Sequence, residues 1–239
     1  MRERKILLCF TLVFLVLVGS SGQVSGLSYP KSFVGQDISW PNCHNLKFAP
    51  SWFGIVGVNG GLNFHVNPCL GSEASLYRNN LSLYVNTGFP GMPYDLKYQT
   101  SPLDCARSDS YCLAYNYGYN AGKYAANYAL SRGVVSNNWW LDVETINSWS
   151  GDYLVNKASL IGEVNAINGS VKPTLIGYYS YPTQWTDVTG GWQNGYPSWL
   201  ATNSNFKTVA ENECSEYSFN SGSVFMTQYI GKIDFDLAC

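Results

Sequence analysis

The chain has 239 residues, of which 46% are hydrophobic and 15% aromatic but only 13% charged, enough apolar material for one large core. Its formal charge is −2, and setting aside the first 26 residues leaves 11 basic and 15 acidic side chains, a charge near −4. That balance argues against nucleic acid or an anionic membrane surface as a partner.

Residues 1–26 read as an export signal. Arg2, Glu3, Arg4 and Lys5 make a mostly basic head, ILLCFTLVFLVLV (6–18) an apolar core, and GSSGQVSG (19–26) a stretch of small residues. The apolar run falls short of the roughly 20 residues of a membrane span, so cleavage and secretion are expected, with an uncleaved anchor as the alternative. Residues 27–239 then form a single domain, expected to be monomeric. Cys9 belongs to the signal, which leaves Cys43, Cys69, Cys105, Cys112, Cys214 and Cys239. An even count behind an export signal implies three disulfides out of fifteen possible pairings. Short loops favour Cys43–Cys69, Cys105–Cys112 and Cys214–Cys239. A zinc site competes poorly: no pair has CxxC spacing, and His44 and His65 are the only histidines. No metal or other cofactor is expected. Asn80 and Asn168 head glycosylation acceptor triplets.

Strand candidates follow in chain order at 35–40, 53–61, 81–89, 137–145, 174–181, 197–203 and 223–235, the last divisible into two at Gly231. All are rich in Val, Ile, Tyr and Trp and bounded by Gly, Asn or Pro. Helix candidates lie at 69–80, 114–132 and 152–167. In the second, Tyr117, Ala121, Tyr124, Ala125 and Tyr128 recur at helical spacing before Gly133. In the third, Asp152 is an early-turn acid and Leu154, Ala158, Ile161 and Val164 form a stripe. Strands alternating with helical stretches imply parallel pairing through crossovers. The final third is poorer in helix. An irregular TIM-like β/α barrel is the first expectation, a doubly wound open sheet the second; periodicity does not separate them.

Within WWLDVET (139–145), Asp142 and Glu144 stand two residues apart in an apolar run. On a strand, positions i and i+2 share a face, with Cα atoms roughly 6.5–7 Å apart. At the carboxyl end of a barrel strand both acids would face the mouth, where barrel enzymes place their chemistry. Apolar walls and mutual repulsion raise one of the two pKa values, leaving one protonated and one ionised group near neutral pH. A glycosidase needs that pair, to protonate a leaving oxygen and to stabilise an oxocarbenium-like ring. The bland alternative is two solvated acids, or two paired with Arg or Lys. Asp37 in GQDISW, with Asp234 and Asp236 in GKIDFDLAC, could converge on the same mouth, because first and last barrel strands are neighbours. No GxSxG elbow and no phosphate-cradling loop is present.

Taken together, GQDIS (35–39), LDVE (141–144), GYYSYPTQW (177–185), TQY (227–229) and KID (232–234) resemble glycoside hydrolase family 25, the Chalaropsis-type lysozymes. The segments occur in the family's order over nearly all of 27–239. The resemblance implies an eight-stranded barrel that cleaves the β-1,4 bond between N-acetylmuramic acid and N-acetylglucosamine in peptidoglycan. By motif position Glu144 would be the general acid. Asp142 would orient the substrate's acetamido group or support charge on the ring, Asp37 and Asp234 would hold the charge pattern and the sugar, and Tyr179 would bind near the reacting ring. Tyr84, Asn86, Trp199 and Gln228 complete the expected substrate-binding set, and Asp236 is read as structural. The chain departs from the family at Trp40-Pro41-Asn42-Cys43, at IVGVNGG (55–61) and at LYVNTG (83–88). These changes favour the broader reading, cleavage of an amino-sugar cell-wall polysaccharide. The rival from another class is a non-catalytic barrel binding glycan or protein at the cell surface.

Overall fold

The computed structural model describes residues 29–45, 51–91 and 98–239; the export signal expected over 1–26 lies outside them. Eight strands close a barrel in chain order: β1 Val34–Ile38, β2 Gly54–Gly57, β3 Leu81–Asn86, β4 Asn138–Asp142, β5 Leu175–Ser180, β6 Ser198–Ala201, β7 Val224–Tyr229 and β8 Phe235–Ala238. Closure decides against the open doubly wound sheet. Strands β1 to β7 run parallel. Strand β8 is antiparallel to both β7 and β1. The reason is chain length: a parallel return needs a crossover of a dozen or more residues. Only Ile230 to Asp234 separate β7 from β8, so the chain folds straight back.

Helices α1 Leu70–Ser75, α2 Ser110–Ser131, α3 Tyr153–Val171, α4 Pro182–Thr189 and α5 Lys207–Glu213 fill the connections. The first stops five residues short of the expected end. The second begins at Ser110 rather than 114, because the Asp109 side chain caps it by accepting from the Cys112 N–H at 3.0 Å. The short α4 and α5 were not expected; α4 opens on Pro182, where a missing N–H costs nothing. The last third remains helix-poor, as expected.

Parity along each strand sorts side chains into two layers. Trp140 points into the barrel with Ile55, Leu175, Trp199 and Met226. Trp139, Leu141 and Val143 point outward, against Ala125, Ala129, Leu160, Val164 and Ile167 of α2 and α3. Both faces of β4 are covered, which is why it reads as an unbroken apolar run. Trp140 fits inside because Gly177, on neighbouring β5, offers no side chain; a methyl there would overlap its ring. Helices α2 and α3 approach just as closely. A methyl at Gly118 would overlap the Ser159 carbonyl, and one at Gly162 the Tyr115 carbonyl. This contact corrects part of the stripe expected on α3, of which Ala158 and Val164 are buried and Ile161 is half-buried. Leu154 is 61% exposed, while Val155, Ser159, Gly162, Glu163 and Ala166 are buried beside Ala158. Asp152 is the N-cap of that helix, accepting from the Leu154 N–H at 2.9 Å.

The disulfides are Cys43–Cys69, Cys105–Cys112 and Cys214–Cys239, the pairing by shortest loops. Among the described residues no helix is long and apolar enough to cross a membrane.

Candidate active site

The carboxyl ends of the parallel strands converge on one mouth. Asp142 is the last residue of β4, level with Asn86 of β3 on one side and Tyr179 of β5 on the other. Glu144 lies two residues further on, just past the end of the ladder, whose last contact is the Val143 N–H donating to the Tyr179 carbonyl at 2.9 Å. Asp37 and Tyr84 come from β1 and β3, Trp199 and Gln228 from β6 and β7. Asp234 arrives differently from its expected place at the end of the last strand. It immediately precedes β8, and because β8 runs opposite to the others, its start lies where they finish. Asp37, Tyr84, Asn86, Asp142, Glu144, Tyr179, Trp199, Gln228 and Asp234 together line one cavity of about 190 Å³. The structure thus brings together every residue singled out as a site candidate.

Hydrogen bonds fix their orientation. Asn86 Nδ2 donates to Asp142 Oδ2 at 2.5 Å. Tyr179 donates its hydroxyl to Gln228 Oε1 at 2.8 Å, and Gln228 Nε2 donates to Asp37 Oδ2 at 2.9 Å, a relay across the mouth. Asp234 Oδ1 accepts from the Gly231 N–H of the β7–β8 turn at 3.3 Å. Below the cavity, fully buried Asp236 accepts from Trp199 Nε1 at 2.8 Å, which suits the structural part expected of it.

Among the described residues nothing basic lines the cavity with these acids. Among the described residues the one ion pair is Lys207–Glu211 at 3.0 Å, within α5. Burial is therefore the first cause of every shift. It lifts Asp37 from 3.8 to about 7, helped by the charge of Asp234 and opposed by the Gln228 donor. Asp142 is raised well above the usual carboxylate range by burial, then by Glu144 and Asp37. Glu144 rises through burial and then Asp234, and Asp234 through burial. Asp236 is raised well above its usual range by burial and then by Asp37. Burial also holds the Tyr84 and Tyr179 hydroxyls neutral, well above 10. Carboxyl groups crowded in this way cannot all ionise, so the cavity keeps protons at neutral pH that isolated acids would have shed.

Two supporting residues escaped the sequence. Asn59 is buried and clamps the backbone of Asn86, donating to its carbonyl at 2.8 Å and accepting from its N–H at 3.0 Å. The one available signal was its place in IVGVNGG, where the chain leaves the family pattern. Thr87 holds Asp142 from behind: its hydroxyl donates to the Asp142 carbonyl at 2.6 Å and its N–H at 3.1 Å. His44 and His65 do not line the cavity. Among the described residues no group of three His, Cys, Asp or Glu side chains is arranged to hold a metal ion.

An eight-stranded α/β barrel with acids gathered at the carboxyl ends of its strands has the layout by which barrel enzymes carry their active sites. No family model matches the chain, and no curated protein matches it in sequence. Solved structures do. A muramidase from Trichobolus zukalii is similar over 87% of this chain and 93% of its own, at 16% identity and a TM-score of 0.51. The catalytic domain of endolysin ply40, from bacteriophage P40 of Listeria monocytogenes, is similar over 88% and 95%, at 17% and 0.54. The Clostridium perfringens spore cortex lytic enzyme SleM is similar over 88% of this chain and 68% of its own, at 13% and 0.55. At these identities the likeness is one of fold.

Proposed function

We propose that the protein is a secreted, muramidase-like glycosidase related to glycoside hydrolase family 25, hydrolysing β-1,4 bonds of an amino-sugar cell-wall polysaccharide. The observation that carries this reading is the meeting of Asp37, Asp142, Glu144 and Asp234 around one cavity with no cation among the described residues to neutralise them. The fold shared with a muramidase, an endolysin domain and a spore cortex lytic enzyme supports it. A barrel serving only to bind would bear the cost of burying Asp142 and half-burying three more acids beside it for no return. Three disulfides suit an oxidising, extracellular setting. The protein acts as a monomer, and cleavage after the basic and apolar head releases it.

Glu144 is the general acid. Burial and the charge of Asp234 raise its proton affinity, and it stands at the cavity's half-open rim, where a glycosidic oxygen can approach it. As the bond to the anomeric carbon breaks, its proton passes to the departing oxygen. Positive charge then builds on the ring and is met by the electronegative carboxyl oxygens of Asp142, fixed by Asn86 and Thr87, and of Asp37. Asp142 Oδ1 has no partner among the described residues, so an N–H from a substrate acetamido group would supply the missing donor. Tyr84, Tyr179 and Gln228 bind sugar hydroxyls, and Trp199 closes the floor. Water completes the reaction, giving its proton back to Glu144.

Release of reducing ends from purified cell walls tests this. Glu144→Gln keeps the shape and removes the proton, and should lower the rate by about 10²–10⁴-fold with an unchanged unfolding midpoint. Parent-level activity in that variant would overturn the reading.

A further inference from the structure

Asp236 lies below the acid cavity, fully buried, and takes no part in the chemistry described so far. Its neighbours follow from the sheet register. Across the two antiparallel pairings it stands opposite Gly35 of β1 on one side and Gln228 of β7 on the other. Asp37 is two residues beyond Gly35, so it shares that face of β1 and is the diagonal neighbour of Asp236. Gly35 has no side chain to come between them, and the two carboxyl groups meet within hydrogen-bonding reach.

The two oxygens of Asp236 are in different situations. Oδ1 accepts from Trp199 Nε1 at 2.8 Å. Oδ2 is buried and finds no donor among the described residues. A proton on Oδ2 resolves this, because the stranded acceptor then becomes a donor for Asp37. Two carboxyl groups in contact cannot both ionise, and the one without access to water keeps the proton. Asp37 opens onto the cavity, whereas Asp236 is 0% exposed. Burial raises Asp236 well above the usual carboxylate range, and Asp37 raises it further. The groups near enough to feel its charge are Asp37, Asp234 and the hydroxyls of Tyr29, Tyr77, Tyr179 and Tyr229. None of these is a cation that would hold Asp236 ionised.

Asp37 is then gripped from two sides. Gln228 Nε2 donates to its Oδ2 at 2.9 Å, and Gln228 is itself held by the Tyr179 hydroxyl. We propose that Asp236 is a positioning residue of the glycosidase reading, on which this inference rests: its neutral carboxyl group, seated by the Trp199 indole, donates a hydrogen bond to Asp37 and keeps the oxygens of that group turned to the reacting sugar. Asp236 does not line the cavity and touches no substrate. It acts through Asp37, whose negative form the donated hydrogen bond favours. It acts also through Trp199, whose ring it holds against Tyr179 with centroids 4.4 Å apart.

The test is a carboxyl 13C titration of the full chain labelled at aspartate, with Asp37→Asn to identify the Asp37 signal. Asp236→Leu removes the donor. The titration midpoint of Asp37 should then rise by about one pH unit, and kcat on cell walls should fall about tenfold or more with KM little changed. The conservative Asp236→Asn keeps both contacts, an oxygen for Trp199 and an N–H for Asp37. It should hold the Asp37 midpoint at the parent's value and restore kcat to within about threefold. An ionised Asp236 gives the opposite sign, because losing its charge lowers the Asp37 midpoint in both variants. A lowered midpoint in either variant, an unmoved one in Asp236→Leu, or parent-level kcat in a folded Asp236→Leu chain would overturn the proposal. Should Asp236→Leu fail to fold, Asp236→Asn decides alone, a held midpoint supporting the proposal and a lowered one overturning it. Failure of the glycosidase reading looks different: the midpoints move as described, and the parent chain releases no reducing ends from any wall.

Discussion

Asp37→Asn removes an acid that burial has lifted from 3.8 to about 7 while leaving an oxygen to accept from Gln228. Between those two values the folded chain holds a proton that the unfolded chain has released. Stability is therefore greatest toward acid pH and is lost as pH rises to about 7. At about 1.4 kcal/mol per unit, three units amount to about 4 kcal/mol, and water entering the open mouth screens this to about 2–4 kcal/mol. Urea unfolding of parent and variant at pH 4.5, 6 and 8 reads the difference directly. The parent should lose stability with rising pH, and the variant should lose about 2–4 kcal/mol less. Buried Glu163 is raised by burial alone, so its contribution cancels in the comparison, whereas Asp142 and Asp236 are freed of the repulsion of Asp37 in the variant and lower its pH slope further. The variant should be the more stable at pH 8 and the less active on cell walls, the usual conflict between a stable and a working site. Equal pH slopes in the two chains would show that Asp37 is ionised and solvated in the folded protein, and the electrostatic account of the cavity would fail.

Gly118→Ala should destabilise the protein by about 1–3 kcal/mol in thermal or urea unfolding, because the added methyl meets the backbone of Ser159 and forces α2 and α3 apart. An unchanged midpoint would mean that the two helices are not packed through their glycines. Asn59→Ala should cost about 1–3 kcal/mol by stranding the Asn86 backbone N–H. It should also lower wall hydrolysis, since Asn86 then no longer holds Asp142; full activity in a folded variant would remove Asn59 from the supporting structure.

Much of this architecture is legible locally. Runs rich in β-branched and aromatic residues between Gly, Asn and Pro mark the strands, because extended backbone and its boundaries depend on neighbouring residues alone. The spacing of Asp142 and Glu144 puts them on one face for the same reason: parity along a strand is a local property. Short loops sufficed to pair the cysteines. Other features belong to tertiary structure. Closure of the barrel depends on strands separated by most of the chain, β1 meeting β8, and no local pattern encodes it. The reversal at Ile230–Asp234, which brings Asp234 to the mouth, follows from the shortness of a turn whose partners lie elsewhere. The clamp of Asn59 on Asn86 joins residues 27 positions apart. Most of all, whether an acid is isolated depends on what surrounds it in space. Residue types alone leave open a lysine or arginine beside Asp142; the folded chain puts Asn86, Tyr179 and other acids there, and that choice of neighbours raises their proton affinities together.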